Sequence, residues 1–425
     1  MEVGGNMTLD RVINRLNQCI LFCFCILIIF LPIAHTETIR AFSFGIPACL
    51  WVIKMILQRR WLFSKTPLDI PILLFSIVAA LSLITAVDFR YSLEEYVGDW
   101  LTEVFLFYLV LNNIREDQLK YLVGALLFGN LIMVTYGIYD FFHQGGIIFS
   151  YQPYRATSLH YHVGAFGTYL MTVIPYLMVA VFLVRNTIPR LAILSLLSLN
   201  VFVLCLAYSR GSWVALVILS LMVGWKFLPK KVFILSLILG CTATFLLSSQ
   251  GILYYYNRFT VPYVYADGYY GRWLLAKFSL EKIAENPFRM IGYGRRSFVK
   301  EYPDLYLKYK GAQLWHAHVT FLNIWLQTGL QGLVFFVFLI YRLLKFCYER
   351  GDLEKSPQRK LFLLATFMMV ITFFVRNLSD DFFVDDSALF FWFLSGLAVF
   401  LGLRSISDER AFSLSQRMEG AFLRK

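Results

Sequence analysis

The stretch QGILYYYNRFTVPYVYADGYYGRWLLAKFSLEKIAENPFRMIGYGRRSFVKEYPDLYLKYKGAQLWHA, residues 250–317, decides the reading of this chain through what flanks it. On either side lie apolar runs, 232–249 and 318–344, each long enough to cross about 30 Å of hydrocarbon. Loops beyond about 12–15 residues are usually functional or disordered, and this one carries the marks of order. It holds Arg258, Arg272, Asn286-Pro287, the tight run Gly292-Tyr293-Gly294, and Trp315-His316-Ala317-His318 at the edge of the next span. Chemistry on a membrane-held substrate is expected here.

Outward from that loop the chain is nearly all apolar. Hydrophobic residues make up 59% of it and the mean hydropathy is +0.63, against about 45–50% apolar usage in soluble domains. The reading is an all-α polytopic membrane protein with about twelve transmembrane helices. They are expected near 17–34, 39–57, 69–87, 100–113, 119–142, 163–184, 191–209, 212–228, 232–249, 318–344, 361–377 and 387–404. The chain reads as a single integral domain, 1–425, with 250–317 inserted between predicted helices 9 and 10. No inverted repeat of the transporter kind is visible, and no matching pair of Gly/Pro-broken spans.

Lys and Arg in short loops stay cytoplasmic. Arg11 and Arg15, Arg59, Arg60 and Lys65, Arg115 and Lys120, Arg185 and Arg190, Lys230 and Lys231, and the run 342–360 fall on one side. Both termini are therefore expected in the cytoplasm and the long loop outside. The first apolar run follows Arg11 and Arg15 like a signal peptide, but no small-x-small site follows it, so it reads as an uncleaved span. All seven cysteines fall in spans or on the cytoplasmic side, away from any external disulfide. The net charge of +12 is mostly this topology signal, and no nucleic-acid module accompanies it. Within the loop, 271–285 reads as an amphipathic helix with Trp273, Ala276, Leu280, Ile283 and Ala284 on one face, ended by Asn286-Pro287. Such a helix could lie along the membrane surface.

Three arginines stand at outer membrane edges: Arg155, Arg210 and Arg272. A guanidinium grips phosphate oxygens with a planar donor fork, each contact being worth about 1.5–3 kcal/mol. Boundary arginines also serve simply to anchor spans. Arg210 is less easily read that way, since Tyr208-Ser209-Arg210-Gly211-Ser212-Trp213 interrupts a long apolar run with almost no loop. His316 and His318 flank a span start, where a neutral imidazole can take a proton from a hydroxyl or sit hydrogen-bonded in an interfacial belt. His160 and His162 repeat the spacing, so a four-histidine metal site has to be weighed, but no ligating cysteine or Glu-x-x-His supports it. Asp380, Asp381, Asp385 and Asp386 are either carboxylates for acid/base work or a solvated outer loop.

Taken in order, these pieces resemble the O-antigen ligase family, with its relatives the O-antigen polymerases and pilin O-oligosaccharyltransferases. Arg155-Ala156-Thr157-Ser158 with Gly164 and Gly167 looks like that family's outer arginine motif, and Ser209-Arg210-Gly211-Ser212-Trp213 is similar to its Ser-Arg-Gly box. Gly271-Arg272, then Asn286-Pro287 and Gly292-Tyr293-Gly294, resembles its long-loop arginine helix and the run after it. His316-Ala317-His318, leading to Gly329 and Gly332, resembles its His-x-His-Asn motif, with Val319 where Asn is usual. That departure leaves either histidine as the base, His318 being favoured by the register of Phe321-Leu322. Asn377-Leu378-Ser379-Asp380 matches its acidic motif more weakly.

The resemblance implies a GT-C-like fold with a periplasmic loop, in a bacterial inner membrane. It also implies transfer of a glycan from undecaprenyl pyrophosphate to a sugar hydroxyl of lipid A–core, without metal or other cofactor. Arg210 and Arg272, assisted by Arg155, would hold the pyrophosphate, and His318 or His316 would deprotonate the acceptor. Tyr208, Gly292, Gly294 and Asp380 would support them. A polymerase would use the same residues with a second lipid-linked glycan as acceptor, and a flippase would use the arginines without needing the histidines.

Overall fold

In hydrocarbon every backbone N–H and C=O has to find a partner within its own segment, and all regular structure among the described residues is helical. The computed structural model describes residues 2–147, 154–160, 162–234, 269–304 and 316–422. The first half holds α1 (Glu2–Phe30), α2 (Glu37–Gln58), α3 (Asp69–Leu81), α4 (Phe89–Glu95), α5 (Thr102–Asn113), α6 (Leu119–His143), α7 (Val163–Leu183), α8 (Thr187–Leu206) and α9 (Arg210–Phe227). Then come α10 (Tyr269–Glu285), the short α11 (Ser297–Glu301), α12 (Thr320–Leu353), α13 (Pro357–Arg376) and α14 (Asp385–Phe422).

The chain is a multi-pass membrane protein: nine of these helices are long and apolar enough to cross a bilayer, and α3 is a shorter apolar one. The predicted span at 69–87 shrinks to α3. The one at 100–113 belongs to a longer helical run, because Asp88 caps α4 by accepting from Tyr91 N, and a π-helical turn, Tyr96–Leu101, carries α4 into α5. The predicted span 232–249 lies outside the described residues apart from helical 230–234.

Within the bundle α7 and α14 are the most enclosed helices. The former packs on α13 and α8, the latter on α5 and α13, while α1 pairs with α2 and α6. Fully buried Trp100, Trp392, Phe107 and Phe373 fill the centre. Polar side chains inside the spans are matched to one another. Lys54 Nζ donates to Asn17 (3.0 Å) and Asn113 (2.9 Å), tying α2 to α1 and α5, and Asn130 and Asn200 exchange hydrogen bonds between α6 and α8. An unmatched amide or ammonium at those positions would be costly.

The loop segment 286–296 is anchored by a break in α12. Gly329 leaves the helix (φ 72°, ψ 177°), which frees groups the ladder would have paired. Leu330 N donates instead to Pro287 O (2.8 Å), while the Leu326 and Gln327 carbonyls accept Ile291 N and Gly292 N. Trp325 Nε1 adds a bond to Pro287 O. The helix thus trades internal hydrogen bonds for a docked strand of loop. Gly292 is required there: its φ is +100°, and a Cβ would stand 2.5 Å from Ala86 Cβ and 2.6 Å from Ser92 Oγ. The helix before it, α10, forms where expected, with Arg272 in its first turn. Its buried stripe is Leu275, Ser279 and Ile283, however, packed with Phe298, Ala317 and Leu326, while Trp273 and Leu280 stay exposed. The apolar face is therefore divided between protein and surroundings, one helical step from the expected grouping.

Candidate active site

At the end of the bundle where α10 and the 286–296 segment dock, a cavity of ≈ 740 Å³ opens between the helix ends. Arg272, His316, His318, Asp380, Arg295 and His162 are among the residues bordering it. Its walls come from chain segments far apart in sequence. The α13–α14 turn, 377–384, faces the turn that leads into α12.

That second turn is built by local bonds. His318 adopts a left-handed backbone (φ 53°), and its N–H donates to His316 Nδ1 at 3.0 Å. Asn323, one turn into α12, accepts from Ala317 N at 2.8 Å and donates to the Asp381 carboxylate. Thr320 Oγ1 donates to the same carboxylate at 2.7 Å, and Thr320 N donates to Asn377 O. Asp381 is thereby consumed in fixing the turn.

Asp380 does something else. Its Oδ1 stands 3.1 Å from His318 Nδ1, and its Oδ2 pairs with Arg272 Nη2 at 3.0 Å and faces Arg376 Nη2 at 3.9 Å. Burial alone would favour the neutral acid. The His318 hydrogen bond and the Arg272 and Arg376 charges outweigh it and hold the carboxyl well below the ordinary carboxylate range. A carboxylate at Nδ1 places the imidazole proton on that nitrogen and leaves the Nε2 lone pair as the base. The opposite holds for His316: accepting at Nδ1, it carries its proton on Nε2. Burial first, then the neighbouring His318 and Arg295, push its pKa well below the usual histidine value, so it stays neutral.

The structure separates the candidate arginines. Arg272 borders the cavity, with Nη1 also donating to Ser379 O at 2.9 Å. Arg155 and Arg210 are not among the bordering residues. Arg155 turns onto the end of α8, donating from Nε to Ala207 O and from Nη2 to Tyr208 O, both at 3.2 Å. Tyr208 is buried and left-handed (φ 49°), and its carbonyl is one of those acceptors. Arg210 opens α9 beside Gly211, where a Cβ would lie 2.3 Å from Ser379 Oγ and 3.3 Å from Arg376. The start of α9 therefore abuts the turn that holds Asp380. Gly292 packs against the α3–α4 loop at Ala86 and against Ser92 of α4, and Gly294 against Tyr91 and Glu95 of α4, which border the cavity; Gly294 has φ +108° and its N–H donates to Gln327 Oε1.

The idea of a solvated acidic loop is corrected for Asp380 and Asp381, which are buried, whereas Asp385 and Asp386 are paired with Arg295 and Arg40. Sequence reasoning missed Arg376, Asn323 and Arg295. Arg376 looked like the tail of an apolar run; the available signal was a cation at the end of the bundle where short loops carry few. Among the described residues, ligand atoms of His316, His318 and Asp380 lie within 4.8 Å of one another and could in principle hold a cation. A metal there would have to displace Asp380 from His318 and Arg272. His160 and His162 border the same cavity but fall outside that group.

A His–carboxylate–arginine cluster around the buried Asp380, at one end of an all-helical multi-pass bundle, defines a membrane protein equipped for chemistry at a helix-end cavity. The O-antigen ligase family model matches residues 191–337. The chain is also 22% identical to an O-antigen ligase of Salmonella typhimurium, over 68% of this chain and 75% of that protein. The chain is thus similar to O-antigen ligases over the matched segment and along most of its length, which supports a glycosyl-transferring membrane enzyme.

Proposed function

We propose that the protein transfers a glycan from undecaprenyl pyrophosphate to a sugar hydroxyl of lipid A–core, on the periplasmic side of a bacterial inner membrane. The observation that carries this reading is the shared carboxylate of Asp380, with His318 on one oxygen and Arg272 on the other. It couples a base to a phosphate-binding cation in one wall of one cavity.

A glycan joined to pyrophosphate already has a good leaving group, so the protein's tasks are to stabilise departing charge and to take one proton. Arg272 would hold the pyrophosphate as negative charge develops on it, with Arg210 joining from the start of α9. Arg376 would keep Asp380 ionised from below, and Arg155 would hold the Tyr208 turn that presents Arg210. His318 Nε2 would remove the proton from the acceptor hydroxyl, and its oxygen would attack the anomeric carbon from the face opposite the pyrophosphate, with inversion. Asp380 fixes the ring through Nδ1 and balances the imidazolium that forms.

The test supplies the purified full-length protein with an undecaprenyl-pyrophosphate glycan, with and without lipid A–core, and separates products by size. Glycan on lipid A–core is the expected result. Elongated lipid-linked glycan formed without that acceptor would replace this reading with a polymerase, and no product in either mixture would remove the transferase.

A further inference from the structure

Among the residues bordering the cavity, elements that the transfer reaction does not use come together. The first turn of α14 contributes Asp386 and Ser387, the turn before α7 contributes His160, and the α1–α2 connection contributes Ala34, all bordering the cavity. The geometry is fixed from behind. Ala34 N donates to Leu159 O at 2.9 Å, and Arg40, in the first turn of α2, pairs with both Glu37 and Asp386. Beneath lies a recess of ≈ 10 Å³ bounded by His160, Ser387, Tyr169 and Phe390, room for about one water and no more. Anything larger than a water that this corner contacts must therefore lie in the main cavity.

Besides Arg40 Nη1, which is ion-paired with Asp386, two buried polar atoms here have no hydrogen-bond partner among the described residues: His160 Nε2 and Arg40 Nε. Buried polar atoms are nearly always paired, and each one left alone costs about 1–3 kcal/mol. The His160 ring packs against Tyr169 (5.7 Å) and Phe166 (6.2 Å). Burial, with His162 and Arg40 nearby, lowers its pKa to about 3, so it is a neutral imidazole. Charge decides what kind of ligand fits. An anion would meet the Asp386 carboxylate and a cation would meet Arg40, whereas the pair together is balanced. The corner offers acceptors on Asp386, a hydroxyl on Ser387 and an imidazole edge, a set suited to hydroxyl groups that both donate and accept.

We infer that His160, Asp386 and Ser387, with Arg40 holding Asp386, form a saccharide subsite that binds the hydroxyls of one of the two glycans meeting in the cavity. The inference rests on the reading of the cavity as a glycan-transfer site and extends it, separating a sugar-holding wall from the wall that carries the base and the phosphate-binding arginine.

Two substitutions test it in the full-length protein held in nanodiscs. His160→Phe keeps a ring and removes its nitrogens, and Ser387→Ala removes one hydroxyl. Each is expected to raise the KM for one glycan substrate about tenfold, the size of a lost hydrogen bond, with kcat little changed because uniform binding is what is lost. A rise for the acceptor assigns the subsite to the lipid A–core sugar, and a rise for the donor assigns it to the lipid-linked glycan. Unchanged KM for both substrates in both variants, with wild-type melting behaviour, overturns the subsite. A second readout does not need turnover: saturation-transfer NMR with lipid-free core oligosaccharide and with lipid-free donor glycan. Binding by the wild type that weakens in the variants supports the subsite even if no transfer occurs, in which case only the transferase reading fails. Equal signals in wild type and variants, or none in any, overturn the subsite.

Discussion

Two turns in this molecule are built alike and put to different use. One runs through Tyr208 into α9 and the other through His318 into α12, and each reverses the chain with a left-handed residue that is not glycine (φ 49° and 53°). L side chains occupy that region at a cost of about 1–3 kcal/mol unless the surroundings over-determine it. At Tyr208 the surroundings include an arginine: Arg155 donates to two backbone carbonyls of the turn, those of Ala207 and Tyr208. At His318 the turn is held by a side-chain amide, Asn323, and by the His316 ring. The charged groups there, Asp380 and Arg272, are left facing the cavity. The difference teaches that an arginine at a membrane edge beside a helix start is not by itself a substrate ligand; what the backbone needs decides how much of its charge is left over.

The sharpest way to break the comparison is to remove the imidazole that faces the carboxylate. His318→Ala is expected to reduce transfer by about 10²–10⁴-fold, the range of a general base, while the protein still purifies folded. His316→Ala should cost less, because that ring is neutral, accepts at Nδ1 and serves the turn. Comparing turnover of the two variants at saturating substrates checks this. Near-normal transfer by His318→Ala with an inactive His316→Ala would move the base by two residues.

Next in size is the cation on the same carboxylate. Arg272→Lys keeps the charge but loses the fork that reaches Asp380 Oδ2 and Ser379 O together. One charge-assisted hydrogen bond is worth about 1.5–3 kcal/mol, so a loss of about 10–10²-fold in kcat/KM for the lipid-linked donor is expected. Full activity in the lysine variant would remove Arg272 from the phosphate clamp.

Nine of the spans were readable from hydropathy alone because hydrocarbon leaves the backbone few options. So was α10, from its periodicity and the Asn286-Pro287 stop. The docking of 286–296 was not, since it depends on the Gly329 break in α12, and a lone glycine in an apolar run does not announce which carbonyls it frees. Of the site, His316, His318, Arg272 and Asp380 were legible as types at an edge. Their assembly was not, because Asp380 meets His318 across a separation of 62 in sequence, and nothing in either turn encodes the other. Arg376 stayed hidden for a related reason: its partner is buried acid, and the sequence shows only an apolar helix that ends in a cation.

The smallest expected effect sharpens the other side of the comparison. If Arg155 chiefly serves the Tyr208 turn, Arg155→Ala should leave two carbonyls at the end of α8 short of a donor and lower the melting temperature of the purified protein by about 2–4 °C. Its loss of transfer, measured per folded molecule, should be smaller than that of Arg272→Lys. Lysine at 155 should recover only part of the stability, since a single ammonium reaches one carbonyl where the fork reaches two. A variant with unchanged melting but a collapse in donor kcat/KM would instead place Arg155 on the substrate, and the two turns would then be alike in use as well as in shape.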